Sequence, residues 1–200
     1  MRMLTLHVKA VKGVWFGVAY ENENVFATSF AFDRKRALQS LLKSIPYDIP
    51  FQHLEKPTEF ADKVVSSLKN IYDGQGCDEK FSLAMGRLSD YAQKVLRTVS
   101  LVPVGYVASY GSVAKAAGGG PRAVGWVMAS NPFPLIIPCH RVVASDFSLG
   151  GYGGGVHVKL EILKREEKGY TSTMEIKVND GVLKVFPVEF VLRRLKEQHK

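Results

Sequence analysis

The first 32 residues alternate. Leu4, Leu6 and Val8 are separated by polar residues, Lys12-Gly13 interrupts, and Val14 to Tyr20 is apolar and aromatic. Residues 21–24 break that run and Val25 to Phe32 resumes it. A period near two, with turn residues between runs, predicts an antiparallel meander over 3–32. The period then lengthens. Ala37, Leu38, Leu41 and Leu42 predict a helix over 34–44, and Phe60, Val64, Leu68 and Ile71 a second over 57–72. The proline-punctuated stretch 45–52 reads as a connection and 73–80 as a linker.

The texture changes near Leu88. Ser89 is placed to cap a helix whose stripe is Ala92, Val95, Leu96 and Val99, ended by Pro103 and Gly105. Ser109 caps a further short helix through about Ala117. Three glycines, 118–120, stop it. Pro121 suits the first turn of the next helix, where its missing N–H costs nothing, and Asn131-Pro132 closes that one. Two short helices around a glycine turn make a helix-turn-helix candidate. A strand-like run, Leu135 to Ile137, leads into Pro138, Cys139, His140 and Arg141. A glycine-rich loop at 148–155 follows, then a helix over 156–168 stopped by Gly169. The tail predicts a hairpin around Asn179-Asp180-Gly181 and a last basic helix from Pro187.

Composition adds an ordinary globular frame: 200 residues, 46% hydrophobic and 23% charged, enough for a sizeable core. The net charge of +8 is unevenly placed. Residues 1–85 carry 11 basic and 10 acidic side chains, 86–170 carry 10 and 5, and 171–200 carry 6 and 4. The surplus sits with the paired short helices and points to a polyanion, although a solvated face would look the same. No apolar run is long enough to span a membrane, and the N-terminus lacks a signal core, so a cytoplasmic protein is expected, nuclear in a eukaryote. Two cysteines without CxxC spacing do not suit a disulfide scaffold, and the five histidines do not cluster.

Cys139 is the candidate nucleophile. A lone cysteine is more often a small core hydrophobe. Here, however, His140 and Arg141 follow at once, proline precedes, and a glycine-rich loop comes within ten residues. A histidine can take the thiol proton. On a strand, successive side chains point to opposite faces, so His140 needs a turn or a water to reach the sulfur. It also needs an orienting acid, for which Glu161, Glu166 and Glu167 compete.

The segments 122–132 (RAVGWVMASNP), 137–143 (IPCHRVV) and 150–163 (GGYGGGVHVKLEIL), with 109–118 (SYGSVAKAAG), resemble the O6-alkylguanine-DNA alkyltransferases over about 88–168. The resemblance implies a single-use DNA repair protein that flips an alkylated guanine out of the duplex and moves the alkyl group to Cys139. It implies His140 as general base through a water, Glu166 as its orienting acid, and Asn131 as the tie between helix and active-site segment. Tyr110 would contact guanine and help rotate the 3′ phosphate. Arg122 would fill the vacated stack, while Ala123, Gly125, Ala129 and Ser130 admit the helix to a minor groove. Backbone carbonyls of Cys139 and Val142 would receive the base amino group, with Pro134 and Tyr152 lining the pocket and Ser145 and Gly153 near the substrate. The expected partner is double-stranded DNA carrying O6-alkylguanine, bound by a monomer, with cooperative loading left open. No cofactor, zinc or other metal is implied.

The implied fold is α+β: a small ribonuclease-H-like N-terminal α/β domain (1–80), then a mostly helical C-terminal domain with the helix-turn-helix (81–170) and an extension (171–200). The chain departs from the family in a short turn between the two helices, in Phe147 where glycine is usual, and in the longer tail. Cys77 reads as a free surface thiol. Competing readings are a lesion-binding module without chemistry, a Cys-His hydrolase, and a DNA-binding regulator with a structural cysteine. The first normally has tryptophan in place of the cysteine, and the second normally draws its histidine from far away in sequence.

Overall fold

The alternating N-terminal stretch folds as the predicted meander in a computed structural model that describes residues 3–178 and 181–198. Strands β1 (Leu4–Val11), β2 (Val14–Glu21) and β3 (Asn24–Ala31) pair antiparallel in sequence order. Both connections put two successive residues at positive φ: Lys12 and Gly13, then Asn22 and Glu23. That is the two-residue hairpin geometry whose twist matches the strands. Helices α1 (Arg34–Lys43) and α2 (Glu59–Tyr72) also lie where the longer period put them. Two short parallel edge strands, β4 (Phe51–His53) beside β1 and β5 (Ser82–Leu83) beside β3, complete an order β4-β1-β2-β3-β5. β4 overlaps the end of the predicted connection and β5 follows the predicted linker; edges of three and two residues carry too little pattern to be predicted.

Adjacent β2 side chains show what covers the sheet. The Phe16 ring meets Tyr72 of α2 edge-on at 5.8 Å. A Cβ on Gly17 would lie 2.8 Å from Leu41 of α1 and 2.6 Å from the Ser29 hydroxyl. Neighbours on a strand point to opposite faces, so the helices cover opposite faces, and Gly17 is glycine because α1 comes that close. This explains the unbroken burial from Phe16 to Tyr20.

The chain divides into two units. One holds the residues up to Tyr72 together with Gly76–Arg87 and Pro132–Ile136; the other holds Asp73–Gln75, Leu88–Asn131 and everything from Ile137. The first unit thus takes in a five-residue segment from far along the chain: Pro132 and Pro134 accept from the Thr28 backbone N–H and hydroxyl at 2.9 and 2.8 Å.

In the second unit α3 (Asp90–Val99) is capped by Ser89 and α4 (Tyr110–Ala117) by Ser109, each hydroxyl accepting from the third residue on. Helix α5 (Pro121–Ala129) begins on its proline. Between α4 and α5, Gly118 and Gly119 hold φ of +84° and +86°. The segment is less purely helical than the sequence predicted. β6 (Tyr106–Ser109) pairs with β7 (Val142–Val143) on one side and with β9 (Gly181–Pro187) on the other, and β9 pairs with β8 (Met174–Val178). These partners are tens of residues apart, which no local periodicity displays. The predicted strand at Leu135–Ile137 is a turn: Leu135 sits at φ +74° between Pro134 and Pro138, which lack N–H donors. Helix α6 runs Val156–Arg165, three residues shorter than predicted. Beyond it the N–H groups of Lys168, Gly169 and Tyr170 turn to one Glu189 oxygen instead of continuing the helix. The tail hairpin forms from β8 and β9, with Asn179 and Asp180 outside the described residues, and α7 (Val188–Gln198) follows Pro187.

The tail accounts for Phe147. This residue is at φ +62°, costly for a side chain with a Cβ, yet its ring meets Phe186 and Phe190 edge-on at 5.2 and 5.4 Å. Phe147→Ala is therefore expected to cost about 2 kcal/mol, read from denaturant midpoints. Phe147→Gly should recover about 1 kcal/mol of that, because glycine accepts the conformation. Equal losses would argue against backbone strain at this position.

Candidate active site

Three successive residues that would be costly to bury singly are buried together. Cys139, His140 and Arg141 form a 3-10 turn in which the Arg141 N–H reaches the Pro138 carbonyl at 2.9 Å and the Val142 N–H reaches that of Cys139. Cys139 is 7% exposed, His140 0% and Arg141 6%. The turn, rather than a strand, removes the alternation that would have sent Cys139 and His140 to opposite faces.

Glu166, the C-cap of α6 and also 0% exposed, closes the arrangement. Its Oε1 lies 3.0 Å from His140 Nε2 and 2.8 Å from Arg141 Nη2, and Arg141 Nε donates to Oε2 at 2.9 Å. Arg141 Nη1 donates to the Val102 carbonyl at 2.7 Å. Burial alone would raise the Glu166 pKa, but His140 and Arg141 outweigh it and hold the carboxyl at about 2. Burial pushes His140 below the usual imidazole range against the pull of Glu166. With the guanidinium already bound to the carboxylate, an ionised Glu166 beside a neutral His140 is the consistent resting state. The other imidazole nitrogen, Nδ1, is buried without a protein partner.

The thiol is raised by burial, while the Asn131 side chain and the charge of Lys159 work to lower it. Asn131 also donates from Nδ2 to the Ile137 carbonyl at 3.1 Å, joining the end of α5 to the segment before Cys139. Lys159 is fully buried on α6. Its Nζ donates to the Val142 carbonyl at 2.6 Å and the Leu149 carbonyl at 2.5 Å, and burial lowers its pKa to about 8. Tyr110 opens α4, and burial and then the Cys139 charge raise its phenol, which marks the two as neighbours. A Cβ on Gly150 would lie 3.3 Å from the Tyr110 ring, so the glycine-rich loop packs close on it.

Of the sequence-predicted residues, Cys139, His140, Glu166, Asn131 and Tyr110 thus meet in one unit, and the buried Val142 backbone borders them. Val142 already receives Lys159, which leaves its carbonyl one lone pair. Tyr152 has its ring 6.0 Å from Lys159 Nζ. Ser145 and Gly153 are exposed in the loops, and a Cβ on Gly153 would touch nothing. Pro134 belongs to the other unit. On α5, Arg122 is exposed and Ala123 and Gly125 are half-buried. Cys77 is exposed and free. Among the described residues no three His, Cys, Asp or Glu are grouped to hold a metal, and no helix is long and apolar enough to cross a membrane.

Sequence reasoning missed Arg141 and Lys159. It read Arg141 only as a poor neighbour for an apolar core. The available signal was on α6, where Lys159 and Glu166 fall at i and i+7 on the stripe that carries Leu163. Charges inside an apolar stripe are buried charges, and buried charges need partners.

Residues 90–168 match the family model described as "6-O-methylguanine DNA methyltransferase, DNA binding domain". A methylated-DNA–protein-cysteine methyltransferase of Methanothermobacter thermautotrophicus is 42% identical over 107 residues, 52% of this chain and 60% of that protein. The matched stretch thus spans less than two thirds of that relative. One from Thermococcus kodakarensis is 34% identical over 164 residues, 76% of this chain and 88% of that protein. The crystal structure of O6-methylguanine-DNA methyltransferase from the hyperthermophilic archaeon Pyrococcus kodakaraensis KOD1 superposes with a TM-score of 0.62 at 31% identity, over 82% of this chain and 99% of that one.

Proposed function

The chain belongs to the methylated-DNA–protein-cysteine methyltransferase family, and we propose that it repairs DNA by moving the methyl group of O6-methylguanine onto its own Cys139. The observation that carries this reading is the buried relay of Glu166, His140 and Cys139. Glu166 fixes one imidazole nitrogen and leaves Nδ1 buried without a protein partner, one residue along the 3-10 turn from a thiol that burial raises. A water between Nδ1 and the sulfur passes the thiol proton to His140, and the thiolate attacks the methyl carbon. The carbon–O6 bond breaks and its electrons go to the guanine ring, which takes one proton from solvent while protonated His140 releases the one it took, so the protons balance. The products are guanine and S-methylcysteine. Nothing in the site cleaves a thioether, so each molecule acts once.

A paired base hides its O6 in the stack, so the guanine must leave the duplex. Residues 81–170 supply both tasks in this reading. Helices α4 and α5 act as a helix-turn-helix, with Arg122 entering the space the base vacates and Ala123, Gly125 and Ser145 near the DNA backbone. Tyr110 contacts the base, and the Val142 carbonyl, Tyr152 and Gly153 border its pocket. The first unit is the ribonuclease-H-like domain, and the extension 171–200 braces the loop of Phe147. The protein works as a monomer on double-stranded DNA in the cytoplasm.

The test uses a duplex with a labelled methyl on guanine O6. Label should appear on the peptide holding Cys139, one methyl per protein. Unlabelled protein that still binds the duplex would leave a binding module and sink the transferase.

A further inference from the structure

One bulky apolar side chain stands uncovered on the helix that this reading sends into the groove. Trp126 of α5 is 79% exposed. Helical residues advance by about 100°, so Arg122, Trp126 and Ala129 fall within an arc of about 60°, and Val124 and Val127 on the far side are buried. The arc therefore faces away from the unit's core. Gly125 flanks it, and a Cβ there would meet nothing within 4 Å beyond its own helix backbone. Glycine inside a helix costs about 1 kcal/mol against alanine, and here no internal packing requires it. The space beside Trp126 is open to something outside the chain.

We infer that Trp126 is a second DNA-contacting residue, its indole lying in the minor groove against deoxyribose and base edges beside the site of Arg122. The inference rests on α5 being the DNA-entering helix. Four residues of helix advance about 6 Å, close to two base steps, so both side chains can serve one lesion site. Arg122 on this arc is a cation, and residues 88–131 as a whole carry four basic side chains and one acidic, a surplus that favours a polyanion for this segment. Small neighbours (Gly125, Ala129, Ser130) leave the indole as a lone ridge, a shape for a groove. A dimer face needs about 800 Å² from each partner, and Trp126 is the one exposed large hydrophobic among the described residues of α5. Apolar wedges in the minor groove hold a duplex bent, and stacking or groove contacts of an aromatic side chain require no particular sequence.

The experiment measures duplex affinity across a salt series for the full chain and for Trp126→Ala, Trp126→Phe and Arg122→Ala. Trp126→Ala should bind about tenfold more weakly while its slope against salt stays that of the unaltered chain, because an indole neutralises no phosphate. Trp126→Phe should keep most of the affinity, and Arg122→Ala should reduce the slope. In a Trp15→Phe background, where Trp126 is the remaining tryptophan, duplex should quench and blue-shift the emission. Unchanged affinity of Trp126→Ala, or emission indifferent to duplex, overturns the inference. So does a concentration-dependent dimer that Trp126→Ala abolishes. Absence of label uptake by the unaltered chain instead overturns the proposed function, and is read separately from binding.

Discussion

Cys139→Ser is expected to take up no label from an O6-methylguanine duplex, a loss of at least about four orders of magnitude, on the scale of removing a catalytic nucleophile. Burial already raises the thiol, and a hydroxyl is a far weaker acid, so neutral His140 cannot ionise it. The serine fits the same 3-10 turn, so folding and duplex binding should survive. Cys77→Ser provides the contrast. That thiol is exposed and lies in the other unit, so general thiol reagents should reach it first and transfer should be unaffected. Label surviving Cys139→Ser would show that another residue is the acceptor. Transfer should also weaken as acid protonates His140. Because burial moves that pKa downward, the decline begins below the ordinary imidazole range near 6.5.

The meander, the helices and the two serine caps were legible because each is written in a few adjacent residues: alternation at Leu4, Leu6 and Val8, and Ser89 or Ser109 ahead of an apolar stripe. The second sheet was not, because β6 is four residues long and takes its partners from 142–143 and 181–187. The site divides along the same line. Cys139 and His140 announce themselves by adjacency. The pairing of Glu166 with Arg141 joins residues 25 apart; the residues alone left Glu161, Glu166 and Glu167 as candidates, and only the family resemblance singled out Glu166. Glu161 instead pairs with Lys164 on the surface of α6. Phe147 shows the opposite failure. Set beside a glycine-bearing family it stood only as a departure, and its contact with Phe186 and Phe190 reveals a local strain offset by a tail that comes much later in the chain.

The second large effect is expected at Glu166, and it separates stability from chemistry. Glu166→Gln leaves the buried Arg141 guanidinium without its counter-charge and should destabilise the protein by roughly 3–5 kcal/mol at neutral pH. Acid should erase much of that difference. The carboxyl ionises at about 2 when folded against an ordinary 4.5, so its contribution is fully present above 4.5 and is lost as pH falls from there toward 2. The gap in denaturant midpoint between the unaltered chain and Glu166→Gln should therefore be widest at pH 6 and narrow by pH 3.5; a gap that widens in acid would mean the carboxylate is not stabilising. Arg141→Met added to Glu166→Gln removes both charges and should restore much of the stability, since no buried charge is then left without its partner. It should not restore transfer at the original rate, because His140 Nε2 would still face no carboxylate to fix the ring and support its positive form. A double variant that is stable and transfers as fast as the unaltered chain would reduce Glu166 to a partner of Arg141 alone. One that is stable and slow would identify the carboxylate as the group that makes His140 a base.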